Sequence, residues 1–127
     1  MMNIGPSVVI VEDDIATQRL LCDVLNHSGY ICHIAGNAED GITMAAELIP
    51  DVIIMDIKLP GMDGLTATDI LRGMESLDKT LIVGMSAHVV RNDNDLIDKN
   101  RFDFFLSKPF SYRVLLNYLG SAIESPG

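Results

Sequence analysis

Apolar residues enter this chain in five short runs: Val8-Val9-Ile10-Val11, Ile31 to Ala35, Val52-Ile53-Ile54-Met55, Leu81-Ile82-Val83-Gly84-Met85 and Phe104-Phe105-Leu106. Each is too short for a stable helix, and most are rich in β-branched residues, which predicts buried strands. Between them the apolar positions change period. Leu20, Leu21, Val24 and Leu25 repeat at helical spacing before Gly29. Ile42, Ala45, Ala46 and Ile49 do so between Asn37, a ready N-cap, and Pro50, which stops a helix. Ala67, Ile70, Leu71 and Met74 form a third stripe. Tyr112, Leu115, Leu116, Leu119 and Ile123 form another behind Ser111, a second cap candidate. Strand–helix alternation of this kind predicts an α/β fold, a five-stranded parallel sheet covered by helices on both faces.

One stretch breaks the rhythm. From Val89 to Asn100 only Val89, Val90, Leu96 and Ile97 offer packing. The Asn and Asp residues among them compete for the backbone, so a short, loosely held helix is expected there. No linker or repeat interrupts the chain. One domain over residues 1–127 is expected, with an ordered core of about 6–124 and frayed ends.

Charge narrows the function classes. Eighteen acidic residues against nine basic ones give a net charge of −9. Such a surface repels nucleic acid and anionic membrane, so no direct contact with either is expected. No apolar stretch approaches the roughly 20 residues that span a bilayer, and no leader pattern is seen, so a cytoplasmic location is expected. Cys22 and Cys32 lack metal-ligand spacing and read as reduced, packed thiols.

The chemistry gathers at strand ends. Glu12 and Asp13 follow the first strand, Asp56 ends the third, Ser86 follows the fourth and Lys108 the fifth. In a parallel sheet all these ends point the same way, toward the edge where ligands bind. Taken singly, each residue has an ordinary explanation: a solvated acidic loop, a turn aspartate, a structural serine, a surface lysine. One group per successive strand end is what those explanations leave unaccounted for. Clustered carboxylates raise each other's pKa, and a hard cation with oxygen ligands, Mg²⁺ or Mn²⁺, cancels that cost. Metal, ammonium and hydroxyl around one carboxylate suit phosphoryl transfer to Asp56, with Lys108 neutralising charge and Ser86 donating a hydrogen bond.

Together, Val9-Ile10-Val11-Glu12-Asp13-Asp14, Met55-Asp56-Ile57-Lys58-Leu59-Pro60-Gly61-Met62-Asp63-Gly64, Met85-Ser86-Ala87 and Ser107-Lys108-Pro109-Phe110 resemble the receiver domain of two-component response regulators. The resemblance covers almost the whole chain. It implies a doubly wound, flavodoxin-like sheet of order 2-1-3-4-5 and phosphorylation of Asp56 by the phosphohistidine of a histidine kinase. It further implies a metal held by Asp13, Asp56 and the Lys58 backbone carbonyl, with Glu12 acting through water. Ser86 and Phe105 take the family's switch positions, and the surface around residues 89–124 is the one expected to change. Lys58 and His88 stand where the family tunes phosphoryl lifetime, and a cis peptide is expected before Pro109. The family often has Gly where Arg101 stands, and Phe105 lacks the hydroxyl of the common Tyr, so any switching here rests on packing. The Ser86-Ala87-His88-Val89 stretch is similar to hybrid sensor histidine kinases of the trimethylamine-oxide-sensing type. That likeness implies a relay to a histidine phosphotransfer domain.

Three rivals are weaker. A haloacid-dehalogenase-type phosphatase needs a second acid where Lys58 stands. A flavodoxin-like FMN binder needs a Gly/Ser/Thr-rich phosphate loop where Glu12-Asp13-Asp14 stands. A receiver-like interaction module that never takes phosphate has no use for the set Asp13, Asp56, Ser86 and Lys108.

Overall fold

The structure is a computed structural model and describes residues 5–87 and 101–123. In chain order its elements are β1 (Ser7–Val11), α1 (Ile15–His27), β2 (Ile31–Ala35), α2 (Ala38–Leu48), β3 (Val52–Asp56), α3 (Gly64–Arg72), a 3₁₀ turn (Glu75–Leu77), β4 (Leu81–Ser86), β5 (Phe104–Ser107) and α4 (Tyr112–Ile123). The strands form one parallel sheet in the order β2-β1-β3-β4-β5. This is the predicted fold class and strand order. The segment expected to form the weak helix, and His88 with it, lies outside the described residues.

Successive side chains of a strand face opposite ways, and the core divides accordingly. Val9, Val11, Ile53 and Met55 pack with Ala38 and Ala45 of α2 and Ala67 and Leu71 of α3. Val8, Ile10, Val52 and Ile54 pack on the other face with Leu21 and Leu25 of α1 and Leu115 and Leu119 of α4. Val8 to Val11 of β1 and Val52 to Met55 of β3 are therefore apolar throughout, because neither face meets water. The sheet's functional edge begins where that rule fails, at Glu12 and Asp56.

Three predicted stripes are corrected in detail. Leu20, which the spacing places in a core stripe, is half exposed, while Leu21 and Leu25 carry the contact. In α2 the inward residues are Ala38, Gly41 and Ala45 rather than Ala46 and Ile49. Ile49 lies beyond the helix as its C-cap, in the left-handed region at φ 47°, and is exposed. That conformation is costly for a β-branched side chain, and it turns the chain from α2 into the buried Pro50. The stripe Ala67–Met74 is interrupted: α3 ends at Arg72, Ile70 is exposed, and Met74 packs on the core from outside the helix. The 3₁₀ turn that follows, with Leu77 buried, has no helical period to announce it.

The entry to β5 is built from charge. Arg101 Nε and Nη2 donate to the Asp69 carboxylate at 2.7 and 3.3 Å. Arg72 donates to the Arg101 carbonyl at 2.6 and 2.9 Å and to Asp103 Oδ2 at 3.0 Å. The same Asp103 oxygen accepts the Ile82 N–H at 2.8 Å. Arg101, unusual for the receiver pattern, thus ties the connection to α3. Cys22 and Cys32 are both free thiols. Burial, reinforced by the neighbouring Cys22, pushes the Cys32 thiol up to about 12, so it stays protonated.

Candidate functional site

The carboxyl edge of the sheet collects the predicted residues. Asp56 is the last residue of β3, and at 6% exposure its side chain is nearly sealed. Glu12 follows β1 and is as deeply buried, whereas the adjacent Asp13 is exposed. Carboxylate oxygens of Glu12, Asp13 and Asp56 lie within 4.8 Å of one another. Lys108 closes the group: its Nζ donates to Glu12 Oε1 at 2.9 Å and to Asp56 Oδ2 at 3.3 Å. The Lys108–Pro109 peptide is cis, as the receiver resemblance implies. The Lys108 N–H donates to the Ser86 carbonyl at 2.7 Å, so β4 and β5 deliver Ser86 and Lys108 to the same edge. Ser86 is buried.

Local structure explains how the acids are held. Asp14 is the N-cap of α1: its side chain accepts from the Thr17 N–H and hydroxyl at 2.9 and 2.8 Å, which holds its pKa down. The Asp14 N–H donates in turn to Glu12 Oε2 at 3.0 Å. Both oxygens of Glu12 are thus engaged, one by Lys108 and one by the backbone. Beyond Asp56 the chain reverses at Gly61, φ 78°, a conformation that favours glycine. Asp63 then caps α3 by accepting from the Thr66 N–H at 2.8 Å, and that bond lowers its pKa. Gly64 brings α3 against the end of β3: a methyl group there would lie 2.2 Å from the Asp56 carbonyl oxygen. No larger residue fits.

The electrostatics follow from burial. Desolvation, then the charge of Glu12, raises Asp56 to about 6, against the opposing pull of Lys108 and of the Lys58 N–H at 3.1 Å from Oδ1. Burial works to lower Lys108, but its bond to Glu12 and the charge of Asp56 outweigh it and hold the ammonium above its usual value. The group is therefore short of positive charge. A hard divalent cation with oxygen ligands suits this donor set, and Asp13 gives it access from solvent. Lys58 itself is exposed on the loop.

Phe105 lies half-buried on β5, edge-on to Phe102 with ring centroids 5.6 Å apart. Both rings occupy the space above Gly84, where a Cβ would come within 2.8 Å of each. Three contributors were not predicted as site residues. They are Asp14 as cap, Gly64 as the close-approach residue and Gln18, whose Nε2 donates to the Glu12 carbonyl at 2.6 Å. Asp14 before an apolar helix was a readable capping signal. Gln18 had no signal in a single sequence.

Comparison with known proteins agrees with this geometry. The family model described as response regulator receiver domain matches residues 8–120. The polar-differentiation response regulator DivK of Brucella anthropi is 32% identical over 120 residues, covering 91% of this chain and 98% of that protein. The receiver domain of a sensor histidine kinase from Pseudomonas aeruginosa PAO1, solved with a magnesium ion coordinated in its active-site cleft, superposes with a TM-score of 0.86. It is 26% identical and the match covers 95% of this chain and 99% of that one. A sensor protein from Polaromonas sp. JS666 gives a TM-score of 0.85 at 25% identity, covering 94% and 96% of the two chains.

Proposed function

The chain belongs to the response regulator receiver family, and on that premise we propose that Asp56 is the phosphoacceptor of a two-component phosphorelay. The observation that carries this reading is Lys108 bridging Glu12 and Asp56, with the exposed Asp13 carboxylate beside them. An Asp56 oxygen attacks the phosphorus of a donor phosphohistidine. The new O–P bond forms as the N–P bond breaks, and the imidazole nitrogen leaves with the electron pair. Lys108 balances charge on the transferred group, and Ser86 supplies a hydroxyl hydrogen bond. Asp13, Asp56 and the Lys58 carbonyl would hold Mg²⁺, with Glu12 acting through water. Such an ion would supply positive charge against the phosphoryl oxygens and the clustered acids. The partners are a histidine kinase and a histidine phosphotransfer domain in the cytoplasm. The likeness to the receiver of a sensor histidine kinase supports an origin in a hybrid kinase. The Ser86-Ala87-His88-Val89 stretch supports the trimethylamine-oxide-sensor type.

Incubation with Mg²⁺ and acetyl phosphate, followed by intact mass, tests the reading. One phosphoryl group should be gained, and chelation by EDTA should abolish the gain. No gain from several small donors, with Mg²⁺ present, overturns it and favours the inert interaction module.

The output follows from packing. Phosphorylation adds roughly 1.5 to 2 negative charges and strong acceptor oxygens beside Ser86. Ser86 moves toward them, Phe105 turns further inward, and the surface around residues 89–124 shifts its population between two packings. A Phe105→Ala variant should take phosphate at the wild-type rate yet lose the phosphorylation-dependent change in hydrogen exchange over α4. If α4 still responds as in wild type, the aromatic relay is wrong.

A further inference from the structure

We propose that Gln18 is a positioning residue for the metal-binding acids, an inference that rests on the phosphoacceptor reading above. It acts through one peptide plane. The peptide between Glu12 and Asp13 is rigid, and a carboxylate of the candidate site hangs from each end of it. Gln18 Nε2 donates to the Glu12 carbonyl at 2.6 Å, at the short end for a bond of this type. That bond fixes how the plane is turned, and so fixes the directions in which Glu12 and Asp13 leave it.

The rest of Glu12 is already held. Its N–H donates to the Ala35 carbonyl at 3.0 Å, and its side chain is taken by Lys108 and the Asp14 N–H. The carbonyl is the one remaining polar group of the residue, and Gln18 is what engages it. Gly36, just after β2, lies beside the amide without crowding it: a Cβ there would stand 4.0 Å from Gln18 Nε2, an ordinary van der Waals distance. The platform is firm too. Gln18 lies in the first turns of α1, its own N–H donates to the Asp14 carbonyl at 3.0 Å, and the same helix is anchored in the core by Leu21 and Leu25. Loop and helix thus form one closed unit: Asp14 ties the loop to α1 from below, and Gln18 ties it from above.

An outer group that orients ligands commonly carries about tenfold or more in metal affinity. Gln18→Met keeps the length and removes the donor. Calorimetric titration should show Mg²⁺ binding about tenfold weaker in Gln18→Met than in wild type. Acetyl phosphate labelling of Gln18→Met should return to near the wild-type rate at saturating Mg²⁺, a recovery that a general folding defect would not show. In the metal-free protein, amide exchange at Asp14 should speed up about fivefold while Val8 to Val11 stay unchanged. Mg²⁺ affinity within twofold of wild type, or an unchanged Asp14 amide, overturns the proposal. Wild-type protein that binds no Mg²⁺ overturns the phosphoacceptor reading instead, and with it the role of Gln18 toward a metal.

Discussion

Asp56→Asn should lose all phosphoryl uptake and, in metal-free buffer at pH 7.5, unfold at a higher temperature than the wild type. Both results come from the same carboxylate. The amide cannot act as the nucleophile, so mass spectrometry should find no phosphoryl gain even with excess acetyl phosphate and Mg²⁺. The stability gain follows from linkage. Asp56 titrates near 6 in the fold because burial and Glu12 oppose its charge, whereas an unfolded aspartate titrates near 3.9. Between those values the native state holds a proton that the unfolded chain has released. Stability contributed by this group is therefore present at low pH and falls as pH rises through 6. Asparagine removes that loss, about 2–3 kcal/mol at pH 7.5, the opposing pull of Lys108 being already contained in the value near 6. The difference between variant and wild type should shrink toward zero near pH 4. Millimolar Mg²⁺ should raise the wild-type midpoint more than that of the variant, because the ion cancels the same repulsion. A variant that melts below wild type at every pH, without metal, means that Asp56 is not destabilised by its charge.

Lys108→Met should separate metal binding from phosphoryl transfer. Its ammonium lies 2.9 Å from Glu12 and 3.3 Å from Asp56, and Met keeps much of the volume while removing the charge. Without Lys108 the acids face one another uncompensated. Mg²⁺, itself repelled by the ammonium, should bind several-fold tighter to the variant. Transfer should move the other way, because the charge that balances the incoming phosphoryl group is gone. Loss of one such stabilising donor typically costs about 10²–10³ in rate, and single-turnover labelling at saturating Mg²⁺ reads it directly. Breaking a buried ion pair also destabilises by about 3–5 kcal/mol when the remaining charge is stranded. In the metal-free variant that cost should fall as pH drops and the acids protonate. If metal affinity and transfer rate fall together and in proportion, Lys108 is a structural prop and not a charge partner.

Much of this was legible in the sequence, for a physical reason. Strands buried on both faces write continuous apolar runs, so β1 and β3 were found with their ends, and those ends located Glu12, Asp13 and Asp56. Caps with polar side chains, such as Asn37 accepting from the Asp40 N–H at 2.8 Å, are equally local signals. Interactions across long separations were silent. Nothing near Arg101 announces Asp69, 32 positions earlier, and nothing near Gln18 announces that its amide reaches back to a carbonyl. Spacing alone makes the helix stripes look about one position too wide, because Leu20, Ala46 and Ile70 share the spacing of their buried neighbours but not their direction. Periodicity gives a face's angle only to within a residue.

The contact between Gly64 and the Asp56 carbonyl carries a lesson for protein engineering. Because the start of α3 is pressed against the main chain of the reactive residue, turn and helix cannot be grafted or randomised independently. A library that varies the exposed positions 58 and 60 while keeping Gly61, Asp63 and Gly64 invariant explores loop chemistry on an undisturbed scaffold. A library that frees position 64 mostly samples broken active centres.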